Sequence, residues 1–148
     1  MVAHEAKTEI LLAEDDPNDV ELTVDTLKRH HVANRIQVVR DGAEALDYMF
    51  CTGRYASRDM NDAPKVVLLD LKLPKVDGIQ VLRRIKGDER TQKIPVVVLT
   101  SSREAPDIAE CYRLGVNSYI VKPVDLQQFS DAVRMLRVYW VLLNEPPE

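Results

Sequence analysis

Five short apolar stretches recur along the chain, and a longer amphipathic stretch follows each. The apolar stretches are Ile10-Leu11-Leu12-Ala13, Ile36-Gln37-Val38-Val39, Val66-Val67-Leu68-Leu69, Val96-Val97-Val98-Leu99 and Tyr119-Ile120-Val121. The first, third and fourth are apolar without alternation. That is the habit of strands buried on both faces in a parallel sheet. The intervening stretches repeat at helical spacing. Asp16-Pro17 opens the first as N-cap and N1, with a stripe at Val20, Val24 and Leu27. The second runs from about Ala43 to Phe50. The third follows Asp77-Gly78 with Ile79, Leu82 and Ile85, and stops near Gly87. The fourth covers about Glu104 to Leu114 and stops at Gly115, a suitable C′ residue. The fifth begins after Asp125 and carries Leu126, Phe129, Val133, Leu136 and Trp140.

Five strand–helix units with right-handed crossovers predict an α/β fold, a doubly wound parallel five-stranded sheet in three layers. One domain is expected over 1–148, with its core at about 8–143 and short tails at both ends. A polar segment from Cys51 to Lys65, containing Gly53 and Pro64, reads as a solvated surface loop or a partner-contact loop.

Composition narrows the class. The chain has 148 residues, 45% hydrophobic and 30% charged, enough for a core without staples. Two cysteines, Cys51 and Cys111, are too few for a disulfide scaffold and suit a reducing compartment. A net charge of −4 disfavours direct nucleic-acid binding. The longest apolar run, Val138 to Leu143, is too short to cross a membrane, and the charged N-terminus resembles no secretory signal, so the expected location is the cytoplasm. His4, His30 and His31 form no ligand pattern, and Lys28-Arg29 and Arg83-Arg84 read as helix-surface charges.

The chemistry gathers where the strands end. Glu14, Asp15 and Asp16 follow the first apolar run, Asp70 the third, Thr100-Ser101-Ser102 the fourth and Lys122-Pro123 the fifth. In an open parallel sheet these carboxyl ends share one rim, beside the point where strand order reverses. Carboxylates from two neighbouring strands repel, and a hard divalent cation such as Mg²⁺ relieves them. Asp16 is expected to cap the helix at Pro17, and Glu14 and Asp15 to face the cation with Asp70. A carboxylate so placed can attack phosphorus and form an acyl phosphate. Lys122 and the cation would balance the phosphoryl oxygens, and the Thr100 hydroxyl would bond one of them. Plainer roles compete: a buried ion pair with Lys122 for Asp70, a snorkelling surface position for Lys122, a strand-end cap for Thr100, packing for Tyr119. A cis Lys122–Pro123 bond would turn the chain and aim the lysine inward.

The set Glu14-Asp15, Asp70, Thr100 and Lys122-Pro123, with Asp70-Leu71-Lys72-Leu73-Pro74 before Asp77-Gly78, resembles the receiver domain of two-component response regulators. The likeness covers about Thr8 to Leu136. It implies strand order 2-1-3-4-5. It also implies that Asp70 takes a phosphoryl group from a sensor histidine kinase or a small phosphodonor. The implied cofactor is Mg²⁺, with Mn²⁺ as a substitute, held by Asp15, Asp70 and the Lys72 backbone carbonyl, with Glu14 acting through water. Thr100 and Tyr119 would be the switch pair. Lys72 and Ser102 stand where similar proteins tune self-dephosphorylation. The 51–65 segment, the loop through Lys75 and the tail near Tyr139-Trp140 resemble the small stand-alone regulators paired with bacterial and cyanobacterial phytochrome kinases.

With no attached output domain in view, the signal is expected to leave by protein contact. Met135, Tyr139 and Leu142 form a second apolar stripe on the fifth helix, roughly 120° from the first, and predict a homodimer. Three readings compete. A phosphorelay intermediate or phosphate sink shares the chemistry. A Mg²⁺-dependent phosphohydrolase with an aspartyl nucleophile favours a second Asp where Lys72 stands. A nucleotide or flavin module needs a phosphate-friendly first loop, which Glu14-Asp15-Asp16-Pro17 is not.

Overall fold

The computed structural model describes residues 9–29, 31, 35–122, 125, 127, 129, 131, 132, 134 and 135. Strands β1 (Ile10–Ala13), β2 (Ile36–Val39), β3 (Val66–Leu69), β4 (Val96–Thr100) and β5 (Ser118–Val121) form one sheet in the order β2-β1-β3-β4-β5. All four pairings are parallel. Helices α1 (Pro17–Arg29), α2 (Gly42–Phe50), α3 (Gly78–Lys86) and α4 (Ala105–Arg113) supply the connections. Beyond them, backbone at the described positions between 127 and 135 is helical. The expected α/β doubly wound architecture and strand order are therefore present.

Strand periodicity explains why the central strands are apolar throughout. In β1, Leu11 and Ala13 enter one core while Ile10 and Leu12 enter the other; β3 and β4 divide the same way. Val81, Leu82 and Ile85 of α3 and Ala45, Met49 and Phe50 of α2 fill the first core. Val20 and Leu27 of α1 and Phe129 fill the second.

Local signals set the helix starts. Asp41 accepts from the Glu44 amide at 2.7 Å, and Asp77 accepts from the Gln80 amide at 3.0 Å. Asp16 Oδ1 accepts from the amides of Asn18 at 2.8 Å and Asp19 at 3.3 Å, the capping role expected of it. Gly115 has φ +99°, the left-handed conformation that ends α4.

The 51–65 segment departs from a plain solvated loop. Gly53–Tyr55 forms a 3₁₀ turn. The Tyr55 hydroxyl donates to Glu44 at 2.6 Å, and its ring meets Tyr48 edge-on at 5.0 Å. The Arg58 guanidinium lies 3.7 Å from the Tyr48 ring centroid and donates to the Asp62 carbonyl at 2.7 Å. These contacts clamp the segment onto α2.

Candidate functional site

The switch point of the sheet lies between β1 and β3, where strand order reverses. Both strands end there in acids. Glu14, Asp15 and Asp70 bring carboxylate oxygens within 4.8 Å of one another. Glu14 is 3% exposed and Asp70 is buried, while Asp15 faces solvent. Main-chain bonds fix the Asp70 backbone: its amide donates to the Ala13 carbonyl at 3.0 Å. Gly78 packs so tightly behind it that an added Cβ would lie 2.2 Å from the Asp70 carbonyl oxygen. The Gly78 amide also closes on the Leu71 carbonyl at 2.8 Å, which folds the 71–77 loop back over the strand end. Gly42 anchors that loop from α2, donating to the Pro74 carbonyl at 3.1 Å.

Lys122 leaves the end of β5 and enters this cluster. Its ammonium pairs with Glu14, with Asp19 at 2.8 Å and with Asp70 at 3.3 Å. Burial works against the ammonium. The hydrogen bonds to Asp19 and Glu14 and the charge of Asp70 outweigh it and hold Lys122 above the ordinary lysine range. Glu14 is also raised, to about 7, first by burial; the Lys122 hydrogen bond opposes the shift and the Asp70 charge adds to it. For Lys122 the direction expresses the acids gathered around it; for Glu14 it expresses burial first, with the Asp70 charge adding to it. The donor set is oxygen only, three carboxylates around one space. It fits a hard divalent cation such as Mg²⁺ or Mn²⁺.

Thr100 ends β4 fully buried, and its Oγ1 accepts from the Ser102 amide at 3.4 Å. Its carbonyl accepts from the Lys122 amide at 2.8 Å, so hydroxyl and lysine occupy adjoining strand ends. Ser102 donates its hydroxyl to Asp107 in the first turn of α4 at 2.6 Å, and the Tyr119 hydroxyl donates to the Ser102 carbonyl at 3.0 Å. The Lys72 amide donates to Asp70 Oδ1 at 3.2 Å, and its side chain is exposed. Glu14, Asp15, Asp70 and Lys122 thus meet, while Thr100 and Tyr119 are linked through the 101–104 loop. Met135 is 69% exposed; Pro123, Tyr139 and Leu142 lie outside the described residues.

Asp19 was not anticipated from the sequence. An acid in the first turn of a helix has an ordinary explanation in the helix dipole, which hides its reach toward Lys122. The one available signal is its distance from Glu14, which returns it to the same rim after the chain turns into α1.

The rim and sheet define a doubly wound α/β domain with an acidic site at the switch point of its sheet. The model of the response regulator receiver domain matches residues 10–134, and the chain belongs to that family. Phosphorylation by histidine kinases and Mg²⁺ binding are general to it.

Particular relatives are similar over almost the whole chain. The probable methanogenesis regulatory protein FilR2 of Methanothrix harundinacea is 41% identical, covering 93% of this chain and 86% of the relative. Response regulator Rcp1 of Synechocystis is 36% identical, covering 89% and 88%. Among solved structures, the bacteriophytochrome response regulator AtBRR is 52% identical with a TM-score of 0.78, covering 95% of this chain and 100% of that one. The phosphorylated cyanobacterial phytochrome response regulator RcpA is 38% identical with a TM-score of 0.77, covering 97% and 100%. A Mn²⁺-bound form of Rcp1 is 34% identical with a TM-score of 0.77, at the same coverage.

Proposed function

We propose that this response regulator accepts a phosphoryl group on Asp70 in a Mg²⁺-dependent reaction and signals through phosphorylation-dependent protein contacts. The observation that carries the reading is the meeting of Glu14, Asp15 and Asp70 within 4.8 Å, with the Lys122 ammonium 3.3 Å from Asp70. Glu14, Asp15 and Asp70, with the Lys72 backbone carbonyl, would hold Mg²⁺, which when bound neutralises charge on the transferring phosphoryl group.

The chain's own residues do the rest. An Asp70 carboxylate oxygen attacks phosphorus. The P–N bond of a kinase phosphohistidine, or the P–O bond of a small acyl phosphate, breaks, and its electron pair leaves with the donor. Lys122 faces the growing negative charge, and Thr100 offers its hydroxyl to a phosphoryl oxygen. Recruitment of Thr100 toward that oxygen would pull on the Ser102 amide and, through the carbonyl of the same residue, on Tyr119, making Thr100 and Tyr119 the switch pair.

Incubation with acetyl phosphate and Mg²⁺, followed by intact-mass measurement, tests the assignment. The native chain gains one phosphoryl group; Asp70→Asn and chelator-treated protein gain none. Equal labelling of Asp70→Asn refutes it.

The kinase is proposed to be a phytochrome-type histidine kinase, acting in the cytoplasm. The likeness to AtBRR and RcpA, both phytochrome response regulators by name, supports this. Transfer from an autophosphorylated bacteriophytochrome kinase should outpace transfer from an unrelated histidine kinase. The exposed Met135 supports the proposed homodimer through Met135, Tyr139 and Leu142. Sedimentation giving a concentration-independent monomer, with and without phosphorylation, refutes it. Among the described residues, no helix is long and apolar enough to cross a membrane.

A further inference from the structure

We infer that Asp19 is a positioning residue for Lys122: from the first turn of α1 its carboxylate draws the ammonium toward the helix and restrains its delivery to a phosphoryl group arriving at Asp70. The inference deepens the reading of Asp70 as the phosphoacceptor and rests on it.

An ammonium has three donors, and Lys122 spends them on three carboxylates. The contact to Asp70 is the long one at 3.3 Å, against 2.8 Å to Asp19. Lys122 is therefore seated between Glu14 and Asp19, off centre from the residue that reacts. Capping does not explain Asp19, because Asp16 already accepts the first free amides of α1. Asp19 instead bonds a residue 103 positions away on the far side of the switch point.

Its exposure adds a second effect of the same sign. The Asp19 side chain is 36% exposed, whereas those of Glu14 and Asp70 are 4% and 9% exposed. Asp19 is thus the most exposed of the three acids that hold Lys122, the one a soluble anionic donor meets first among them. It pulls the balancing cation away and repels the incoming charge. The step affected breaks the bond between phosphorus and the bridging oxygen of acetyl phosphate, and forms one from phosphorus to an Asp70 oxygen. Acetate leaves with the bonding pair, and no oxidation state changes.

The test uses the full chain with Asp19→Asn and Asp19→Glu. Uptake from acetyl phosphate is followed by intact mass at saturating Mg²⁺, and Mg²⁺ affinity is measured by calorimetry without donor. Asp19→Asn should speed uptake roughly three- to fivefold at low salt, the upper scale of one partly exposed ion pair. The gain should shrink as ionic strength rises. Mg²⁺ should bind less tightly, because the cluster has lost a charge. Asp19→Glu keeps the charge and should stay within about twofold of the native rate. A merely structural role moves neither salt dependence nor affinity in this opposed pattern. Should Asp19→Asn fail to fold, Asp19→Ser removes the same charge and repeats the test. An unchanged or slower rate in a folded Asp19→Asn, with native Asp70 still labelled, overturns this inference alone. Failure of native Asp70 to be labelled overturns both readings.

Discussion

The Tyr119 hydroxyl donates to the main-chain oxygen of Ser102, 3.0 Å away, tying β5 to the loop that leaves β4. The same serine uses its side chain to hold Asp107 of α4 at 2.6 Å and accepts from the Glu104 amide at 3.3 Å. One buried residue therefore connects the strand end that carries Thr100 to a helix and to the neighbouring strand.

Removing either bond should loosen that loop. Tyr119→Phe keeps the ring packing and loses the donor, at an expected cost of about 1 kcal/mol; Ser102→Ala should cost about as much. Because the two share a network, the double variant should lose less than the sum. Denaturant unfolding measures the cost, and faster amide exchange at residues 101–105 locates it.

Lys122→Ala removes the ammonium that faces a Glu14 buried to 3% exposure. About 2 kcal/mol or more should be lost without metal, since breaking a buried pair strands its partner. Mg²⁺ should raise the Tm of the variant more than that of the native chain, because the cluster then carries more uncancelled charge. An equal rise in both proteins would contradict this account.

Gly42 and Gly78 sit where a side chain has no room. A Cβ would lie 1.7 Å from the Val76 carbonyl oxygen at the first and 2.2 Å from that of Asp70 at the second. Alanine at either should cost about 2 kcal/mol or more in urea unfolding, because the obstacle is backbone. Gly115 is the contrast: its nearest atom would be Lys86 Cδ at 4.0 Å, so Gly115→Ala should cost about 1 kcal/mol through its φ alone. Gly78→Ala should also weaken Mg²⁺ binding, since it displaces Asp70.

Tyr55 gives the clamped 51–65 segment a pH signature. Burial, then its hydrogen bond to Glu44, lifts the phenol from 10.0 to about 12. A raised folded-state pKa means the protonated form is the stabilised one. The contribution is fully present below pH 10 and is lost as pH rises through about 12. Burial also raises Tyr119, so phenolate absorbance should show more than one tyrosine ionising late, and Tyr55→Phe should remove one of those steps while leaving that of Tyr119.

Much of this was legible from pattern. The five apolar runs became the five strands to within a residue, since continuous burial leaves an unbroken apolar signature. Asp16 and Asp77 marked helix starts through their place before the helical stretches, whereas Asp41, the cap of α2, stood just outside the stretch expected from Ala43. Glu14, Asp15, Asp70 and Lys122 were found because strand ends in a parallel sheet share a rim. The clamp of the 51–65 segment was not legible: Tyr55 to Glu44 and Arg58 to Tyr48 join residues about ten apart with no periodicity to mark them. Asp19 was hidden because its residue type already suits a helix start.

The main chain at residue 70 is held on two sides, by the Ala13 carbonyl in front and by Gly78 behind. That makes it an anvil. Under the proposed phosphorylation, a bulky anion there would find no slack beneath it, and the recoil would pass to the lysine arm, the Thr100 hydroxyl and the serine-tethered loop beyond it. If Asp70 is phosphorylated as proposed, rigidity beneath it would convert a local addition of charge into displacement at a distance.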